Sequence, residues 1–460
     1  MTEVSAQEKL DRTKPPKAAP PKDVKFPDYF EEVMDNGLKV IVYQQSELPS
    51  VAVSLVIRGG SMNDAAVPGL ASMTSEMLTK GTTARNATQI AEEIEFLGGN
   101  LSAGSGWDNS TVSVSILSKH LDKAMVMMAD VVLNPTFPEE ELGRTRDQRL
   151  ASILQRKSNA NALAGTQFSK AVYGSHPYGQ PSDGTEISIK GLKREEMVQF
   201  HKDYFIPNNS FIVAVGDVTP DKMKELVGKY FENWKEGKIK QSRFPEIGEV
   251  EQTKIQVVDR PGAVQSSIMI GHVGLERKNP DFIPVSVMNT LLGGYFGSRL
   301  NLNIREDKGY TYGARSGFDM RLFRGPFSAG AEVRNAVTDS AIVEFLKEIK
   351  RMCDEPVGRE ELNGVKSYLT GMFPIQIETP GQVAARIVSI ELYGLGKTYY
   401  NTYNSKVNAV TSDDIMRVAK KYLHPDKMVI VAAGKADLLK DTLKKFGTVE
   451  LYNADGETLK

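Results

Sequence analysis

Two segments of this 460-residue chain repeat one pattern, and the repeat constrains the fold more than any other feature. In each segment a tyrosine is followed by a proline, then by an apolar run, then by a glycine. The matching positions, 218 residues apart in every case, are Tyr204 and Tyr422, Pro207 and Pro425, and Gly216 and Gly434. Self-similarity at a fixed separation is typical of a duplicated unit, so two related domains are predicted. Two unrelated buried strands, each after a proline turn, are the alternative.

Weaker matches agree with a duplication. Residues 103–107 resemble residues 314–318, and the apolar run 51–58 resembles 265–272. The first two dozen residues are polar and rich in proline and lysine, which predicts disorder, and a second polar stretch near the middle is typical of a linker. The predicted division is a disordered lead-in at 1–25, an N-terminal domain at 26–235, a linker at 236–254 and a C-terminal domain at 255–460.

The order of apolar patterns within one unit predicts the fold class. Residues 51–57 form a continuous apolar run and residues 111–117 alternate with period two, so both are predicted strands. Two helical patterns lie between them, the first beginning at Pro68. Further helices are predicted at 121–133, 139–157, 194–204 and 220–234. This order favours α+β domains in which helices cover one face of a largely antiparallel sheet.

Composition excludes several function classes. Lys and Arg number 57 against 58 Asp and Glu, so the net charge of −1 offers no attraction for nucleic acid. Cys353 is the single cysteine, which excludes an internal disulfide and a thiolate metal cage. The sequence contains no run of eighteen apolar residues, so it predicts no membrane span. No targeting signal is visible, so a soluble protein is expected, with the bacterial periplasm and the cytoplasm both open as its location.

A more specific signal lies at residues 59–64, Gly-Gly-Ser-Met-Asn-Asp, and at residues 69–82, which begin Gly-Leu-Ala and end Met-Leu-Thr-Lys-Gly-Thr. These segments resemble the pitrilysin/insulinase family of zinc metallopeptidases, in the branch of short, processing-peptidase-like subunits. In active members the helix between those flanks carries His-x-x-Glu-His. The resemblance covers almost the whole chain after about residue 26, and it implies two homologous domains that form half of a metallopeptidase clamshell.

Except at Glu76, the family's metal positions have lost their donors in this sequence. Ligands at i and i+4 share one helix face and can bind one zinc ion, while the glutamate between them polarises water. Those positions hold Ser72, Ser75 and Glu76, and an ungapped count places the distal glutamate ligand near Ser152. Because neutral serine hydroxyls are poor zinc ligands, we expect no zinc or other cofactor on this chain.

The other half keeps a second feature of the family. Related peptidases have an arginine followed seven residues later by a tyrosine, which correspond here to Arg305 and Tyr312. The resemblance implies that this pair reaches a facing zinc site, binds the substrate backbone and stabilises the negative charge that hydrolysis develops. The alternative is a surface arginine paired with Glu306 or Asp307, and a tyrosine that is an ordinary strand aromatic.

Substrate contacts are implied at two further places. Active relatives add their substrate as a strand to an edge that corresponds here to Asn100, Leu101, Ser102 and Ala103, although an ordinary loop would also suit this composition. Gly293 and Gly294 are a modest version of a glycine-rich loop that handles presequences in a non-catalytic processing-peptidase subunit. A phosphate loop is a weak alternative for these glycines, since no Lys-Ser/Thr follows them.

The resemblance therefore implies the subunit without zinc in a heterodimeric zinc metalloendopeptidase. Its partner would be a homologous chain with His-x-x-Glu-His and bound zinc, although self-association is also possible, and its substrates would be unfolded peptides. The alternative is an inactive structural or peptide-holding homologue. A hydrolase with Ser72 or Ser75 as nucleophile is disfavoured, because no histidine base can be assigned beside either serine.

Overall fold

A computed structural model describes Thr13 and residues 25–64 and 66–459. Of the predicted lead-in at 1–25, only Thr13 and Lys25 are among them. Residues 235–253, which include most of the predicted linker, contain no helix or strand. Within the described ranges, no helix is both long enough and apolar enough to cross a membrane.

The first half of the chain builds a six-stranded mixed sheet in the order β1-β2-β6-β3-β5-β4. The strands are β1 Phe30–Val33, β2 Lys39–Gln44, β3 Ser50–Ile57, β4 Asn100–Ser105, β5 Ser110–Leu117 and β6 Ser210–Gly216. Only the pairing of β2 with β6 is parallel. Strand β4 lies at one edge of this sheet.

The second half builds a seven-stranded sheet in the order β13-β12-β7-β11-β8-β10-β9. Its strands are β7 Lys254–Asp259, β8 Gln265–Val273, β9 Arg315–Phe318, β10 Pro326–Arg334, β11 Val429–Gly434, β12 Val449–Tyr452 and β13 Thr458–Leu459. Five neighbouring strands of this sheet, β7-β11-β8-β10-β9, repeat the order and the relative directions of β2-β6-β3-β5-β4 in the first sheet. The predicted α+β fold with two homologous domains is confirmed.

Strand pairing corrects one of the weaker sequence matches by one residue. Ala52 pairs with Val215 in the first sheet, and Ser267 pairs with Ala433 in the second. Ala52 therefore corresponds to Ser267, whereas the sequence match aligned it with residue 266. Because side chains alternate between the faces of a strand, a shift of one residue exchanges the two faces.

Helices follow the strands in the same order in both halves. The first half contains α1 Leu70–Met77, α2 Ala87–Phe96, α3 Leu121–Leu133, α4 Glu139–Lys157, α5 Ala160–Tyr173, α6 Glu186–Gly191, α7 Arg194–Tyr204 and α8 Pro220–Phe231. The second contains α9 Phe282–Asn289, α10 Thr338–Asp354, α11 Arg359–Ile375, α12 Pro380–Tyr393, α13 Tyr403–Ala409, α14 Ser412–Tyr422 and α15 Ala436–Leu443. Two π-helical segments, Thr290–Gly294 and Asn301–Asp307, follow α9.

The prediction that helices cover one face of each sheet is wrong, because each half sends a helix to the other half. Helix α5 packs on β8 and β11 of the second sheet, where Phe168 and Val431 belong to the same buried apolar cluster. Helix α12 packs on β3 and β6 of the first sheet, where Ile387 and Val213 belong to the same buried apolar cluster. Every residue of β6 and β11 is buried as a result. Continuous apolar strands require cover on both faces, and this exchange provides it.

Polar contacts fix the two halves at the same interface. The buried Asp108 carboxylate accepts hydrogen bonds from the Leu322 backbone N–H at 2.9 Å and from the Tyr393 hydroxyl at 3.1 Å. Arg58 forms an ion pair of 2.7 Å with Glu391 at the end of α12. Two of these contacts, at Tyr393 and Glu391, join the C-terminal end of α12 to the first domain.

Candidate functional site

Both candidate motifs occupy the same connection of the repeated unit. In the first domain the connection between β3 and β4 contains α1, which carries Ser72, Ser75 and Glu76. In the second domain the connection between β8 and β9 contains the π-helical segments, Arg305 and Tyr312. The duplication thus assigns the two motifs to equivalent parts of the two domains.

A buried aspartate fixes the start of α1. Asp64 accepts hydrogen bonds from the backbone N–H groups of Gly69 and Ala71, both at 2.7 Å. Gly69 has a φ of 92°, which favours glycine, and the helix begins at Leu70, two residues after the predicted start. Burial raises the pKa of Asp64 to about 7, although the two backbone bonds oppose this shift.

Arg149 of α4 reaches across to the motif face of α1. Its guanidinium donates to the Ser72 hydroxyl at 3.1 Å and to the Glu76 carboxylate at 2.5 Å. The Arg149 side chain is 15% exposed and the Glu76 side chain is 34% exposed. The two residues that share one face of α1 are therefore already bound to a cation of the chain itself.

Ser75 has no access to a substrate. It is fully buried, and its hydroxyl has no hydrogen-bond partner among the described residues. No described hydrogen bond joins a histidine to Ser72 or Ser75. Both observations argue against a serine nucleophile on α1, as the sequence predicted.

No described hydrogen bond joins Ser152 to Ser72, Glu76 or Arg149, and Arg149 was not identified from the sequence as part of the site. Ser152 is exposed, and its hydroxyl donates to the Gln148 carbonyl of its own helix at 3.1 Å. Two features of the sequence could have indicated the role of Arg149. It precedes the expected ligand position by about one helical turn, and no carboxylate stands at that position.

The residues on α1 and α4 do not fit the zinc ion that the family resemblance implies. Two serines and one carboxylate replace the expected donors, and the Arg149 guanidinium is already hydrogen-bonded to that carboxylate. Within the described ranges, no group of three His, Cys, Asp or Glu side chains could hold a metal ion. Catalytic zinc needs about three protein ligands, which this arrangement does not supply.

The second-domain motif is more open. The Arg305 guanidinium lies 4.6 Å from the centre of the Phe296 ring and 3.3 Å from the Glu306 carboxylate, in agreement with the pairing that the alternative reading proposed. Tyr312 is 92% exposed and precedes β9, so it is not a strand residue. Its side chain lines a cleft of about 480 Å³, which also contacts Asn161 of α5.

Gly293 and Gly294 differ in their surroundings. A Cβ atom on Gly293 would lie 2.4 Å from the backbone nitrogen of Ser316, so glycine is required for the π-helical segment to pack against β9. Gly294 is exposed. The contact explains Gly293 by close packing, and a role of either glycine in binding substrate stays a prediction.

The predicted edge strand is observed as β4, which pairs with β5 on one side and is the last strand of its sheet. Its residues alternate between exposed and half-buried: Asn100 and Ser102 are exposed, and Leu101 and Ala103 are half-buried. An extended peptide could pair with such an edge, but contact with substrate stays a prediction.

The fold and the site define a duplicated α+β protein whose motif helix keeps the flanks of a zinc peptidase helix without its donors. Residues 39–186 match the family described as insulinase (peptidase family M16), and residues 191–369 match the peptidase M16 inactive domain. The chain belongs to peptidase family M16, and the predicted resemblance is confirmed.

Relatives of this chain include proteins named as proteases and one named as a non-peptidase. It is 26% identical to the uncharacterized zinc protease YmxG of Bacillus subtilis, over 83% of this chain and 92% of the relative. It is 25% identical to the non-peptidase homolog YmxG of Helicobacter pylori, over 76% and 81%. The crystal structure of a peptidase M16 inactive domain from Pseudomonas fluorescens superposes with a TM-score of 0.84 and 28% identity, over 89% of this chain and 98% of the other.

Proposed function

We propose that this chain is the subunit without zinc in a heterodimeric zinc metalloendopeptidase. The exposure of Tyr312 carries the proposal: this residue is 92% exposed and is among those that line the cleft, so it is not packed into the core of its own chain. A phenol presented in this way can donate a hydrogen bond to a group on another molecule. The closed arrangement of Ser72, Glu76 and Arg149 supports a division of labour in which this chain supplies no metal.

In the proposed role, Arg305 and Tyr312 act on substrate held at the site of the partner. Peptide hydrolysis develops negative charge on a carbonyl oxygen, which a phenol hydroxyl and a guanidinium stabilise. Zinc is expected on the partner, which would carry His-x-x-Glu-His. Arg305 would have to exchange its contact with Glu306 for one with substrate, and the 34% exposure of its side chain leaves it accessible.

The experiment compares three samples: this chain alone, a homologous His-x-x-Glu-His chain from the same organism alone, and the two mixed. Zinc content and cleavage of an unfolded peptide are measured for each sample. We expect this chain to be free of zinc and inactive, and the mixture to cleave faster than the homologue alone. If no complex forms and mixing adds no activity, the proposal is wrong.

A second candidate function is a structural or peptide-holding homologue without catalysis. The occupied face of α1 favours it, as does a relative of similar length named as a non-peptidase. The open edge of β4 would allow this chain to bind an extended peptide by itself. Peptide binding by the isolated chain without any stimulation of the homologue would support this second candidate against the first.

A further inference from the structure

Arg149 stands where two helices of the first domain would otherwise share a metal ion. Its guanidinium contacts the Ser72 hydroxyl and the Glu76 carboxylate on α1, and it also donates to the Asp183 backbone carbonyl at 3.4 Å. With 15% of its side chain exposed, Arg149 is more enclosed than the carboxylate it binds. One cation thus joins α1 to α4 and to the segment after α5.

We propose that Arg149 is a built-in replacement for the metal: a permanent cation that joins α1 to α4 and keeps divalent ions out of this position. The inference goes beyond the proposed function, because it holds whether or not the chain works with a partner. An arginine side chain stays protonated in proteins, so Glu76 has a fixed counter-charge at every working pH. A divalent ion brought within a few ångströms of the guanidinium would be repelled, most strongly where water is partly excluded.

The neighbouring Arg156 is a natural control for this role. It lies on the same helix and binds the Asp183 carboxylate, with nitrogen–oxygen distances of 2.6 and 2.5 Å. It has no described contact with Ser72 or Glu76. If any arginine of α4 excluded metal by its charge alone, replacement of Arg156 would have the same effect as replacement of Arg149.

The test is metal binding by grafted ligand sets. The first set combines Ser72→His, Glu76→His and Ser152→Glu, which supplies three donors while leaving the fully buried Ser75 unchanged. The second set adds Arg149→Leu, and the third adds Arg156→Leu instead. Zinc per chain is measured after equilibrium dialysis, and the shift of the Tm on addition of zinc is measured by calorimetry. We expect one zinc per chain and a raised Tm for the second set only.

Each other outcome overturns the proposal. Zinc uptake by the first or third set would show that Arg149 does not exclude the metal, and uptake by none of the sets would show that the guanidinium is not what prevents binding. Stoichiometric zinc on the unmodified protein would contradict the inference directly.

A second measurement does not depend on the grafted ligands. The variants Arg149→Met, Glu76→Met and the double variant are compared by their Tm in the otherwise native chain. We expect each single variant to lower the Tm by a few degrees and the double variant to recover most of that loss, because no unpaired charge is left between the helices. If the losses add without recovery, the pair does not join α1 to α4.

Discussion

In the first domain the connection after β3 is closed, whereas in the second domain the connection after β8 is open. Glu76 on α1 is bound by Arg149 of α4, Ser75 is buried, and Ser72 and Glu76 are half-buried. Tyr312 in the second domain extends into solvent almost completely. A bond within the domain thus closes the first connection, whereas the second presents Tyr312 to solvent.

The two domains nevertheless join this connection to the same helix in the same way. In the first domain Arg149 of α4 binds Glu76, and in the second domain Glu361 of α11 accepts two bonds from Arg299, at 2.8 and 2.9 Å. The charges are reversed between the copies. An arginine–glutamate bridge therefore joins this connection to the equivalent helix in both domains, and only in the first domain does the bridge involve the motif itself.

The exchange of helices, which the two domains have in common, predicts the largest effect. Phe168→Ala on α5 and Ile387→Ala on α12 each remove a buried side chain from the other domain's sheet. We expect each to lower the free energy of unfolding by about 3 kcal/mol or more, in a single cooperative transition. The exposed Ile187→Ala is the control, with a change within about 0.5 kcal/mol. Two separate transitions in chemical denaturation would mean that the domains unfold independently.

The aspartates that precede α1 and α9 predict opposite pH dependence. Burial raises the pKa of Asp64 to about 7, so its contribution to stability is present below about pH 4 and is lost as the pH rises through 7. For Asp281, burial raises the pKa, but bonds from Lys421, Tyr422 and Arg417 outweigh it and hold the pKa below its usual value. The contribution of Asp281 is therefore present above its unfolded pKa and lost as the pH falls through the lower folded value.

Denaturation of the wild type, Asp64→Asn and Asp281→Asn across pH 3 to 8 tests this contrast. The difference in free energy of unfolding between the wild type and Asp64→Asn should change between pH 4 and 7. The corresponding difference for Asp281→Asn should change only at the acidic end of the range. If both differences changed with pH in the same direction, the opposite pKa shifts assigned to Asp64 and Asp281 would be contradicted.

The open motif predicts a smaller effect, confined to catalysis. Tyr312→Phe should lower peptide turnover of the mixed subunits by about tenfold or more, the scale of losing one donor to a developing oxyanion. Because the side chain is exposed, the free energy of unfolding should stay within about 0.5 kcal/mol of the wild type. Unchanged turnover would remove Tyr312 from the proposed mechanism.

The closed motif predicts the smallest effect. Ser75→Ala removes a buried hydroxyl that has no partner among the described residues, so stability should be unchanged or raised by up to about 1 kcal/mol. Turnover of the mixed subunits should not change. A fall in turnover with unchanged stability would show that the first domain retains a part in the chemistry.

Local sequence patterns were sufficient for the duplication and for six helices of the first half, and they predicted no helix in the second half. Residues 121–133, 139–157 and 194–204 were predicted as helices with the limits that the structure has, because apolar spacing and end signals are properties of neighbouring residues. Helix α5 was missed although Asn159 caps it and Leu163, Phe168 and Val172 share its buried face. The apolar residues of α5 serve the sheet of the other domain, so the pattern within one half did not require them.

The candidate site was predictable in its residue types and not in its contacts. The loss of donors at Ser72 and Ser75 is visible in the chain itself, and the exposure of the edge strand follows from the family resemblance. The replacement of a metal by Arg149 depends on where a side chain from another helix ends, 73 residues away in sequence. Such a contact depends on the packing of α4 against α1, which spacing along the chain does not determine.

Because α5 and α12 are exchanged, neither half of the chain can cover both faces of its sheet by itself. A gene cut between the two halves would encode two polypeptides, each with a sheet of bare apolar strands and a helix that belongs on the other product. Two identical chains with one copy of the repeat each could cover their sheets by the same exchange of helices. The two halves of the present chain thus pack as two subunits of such a dimer would.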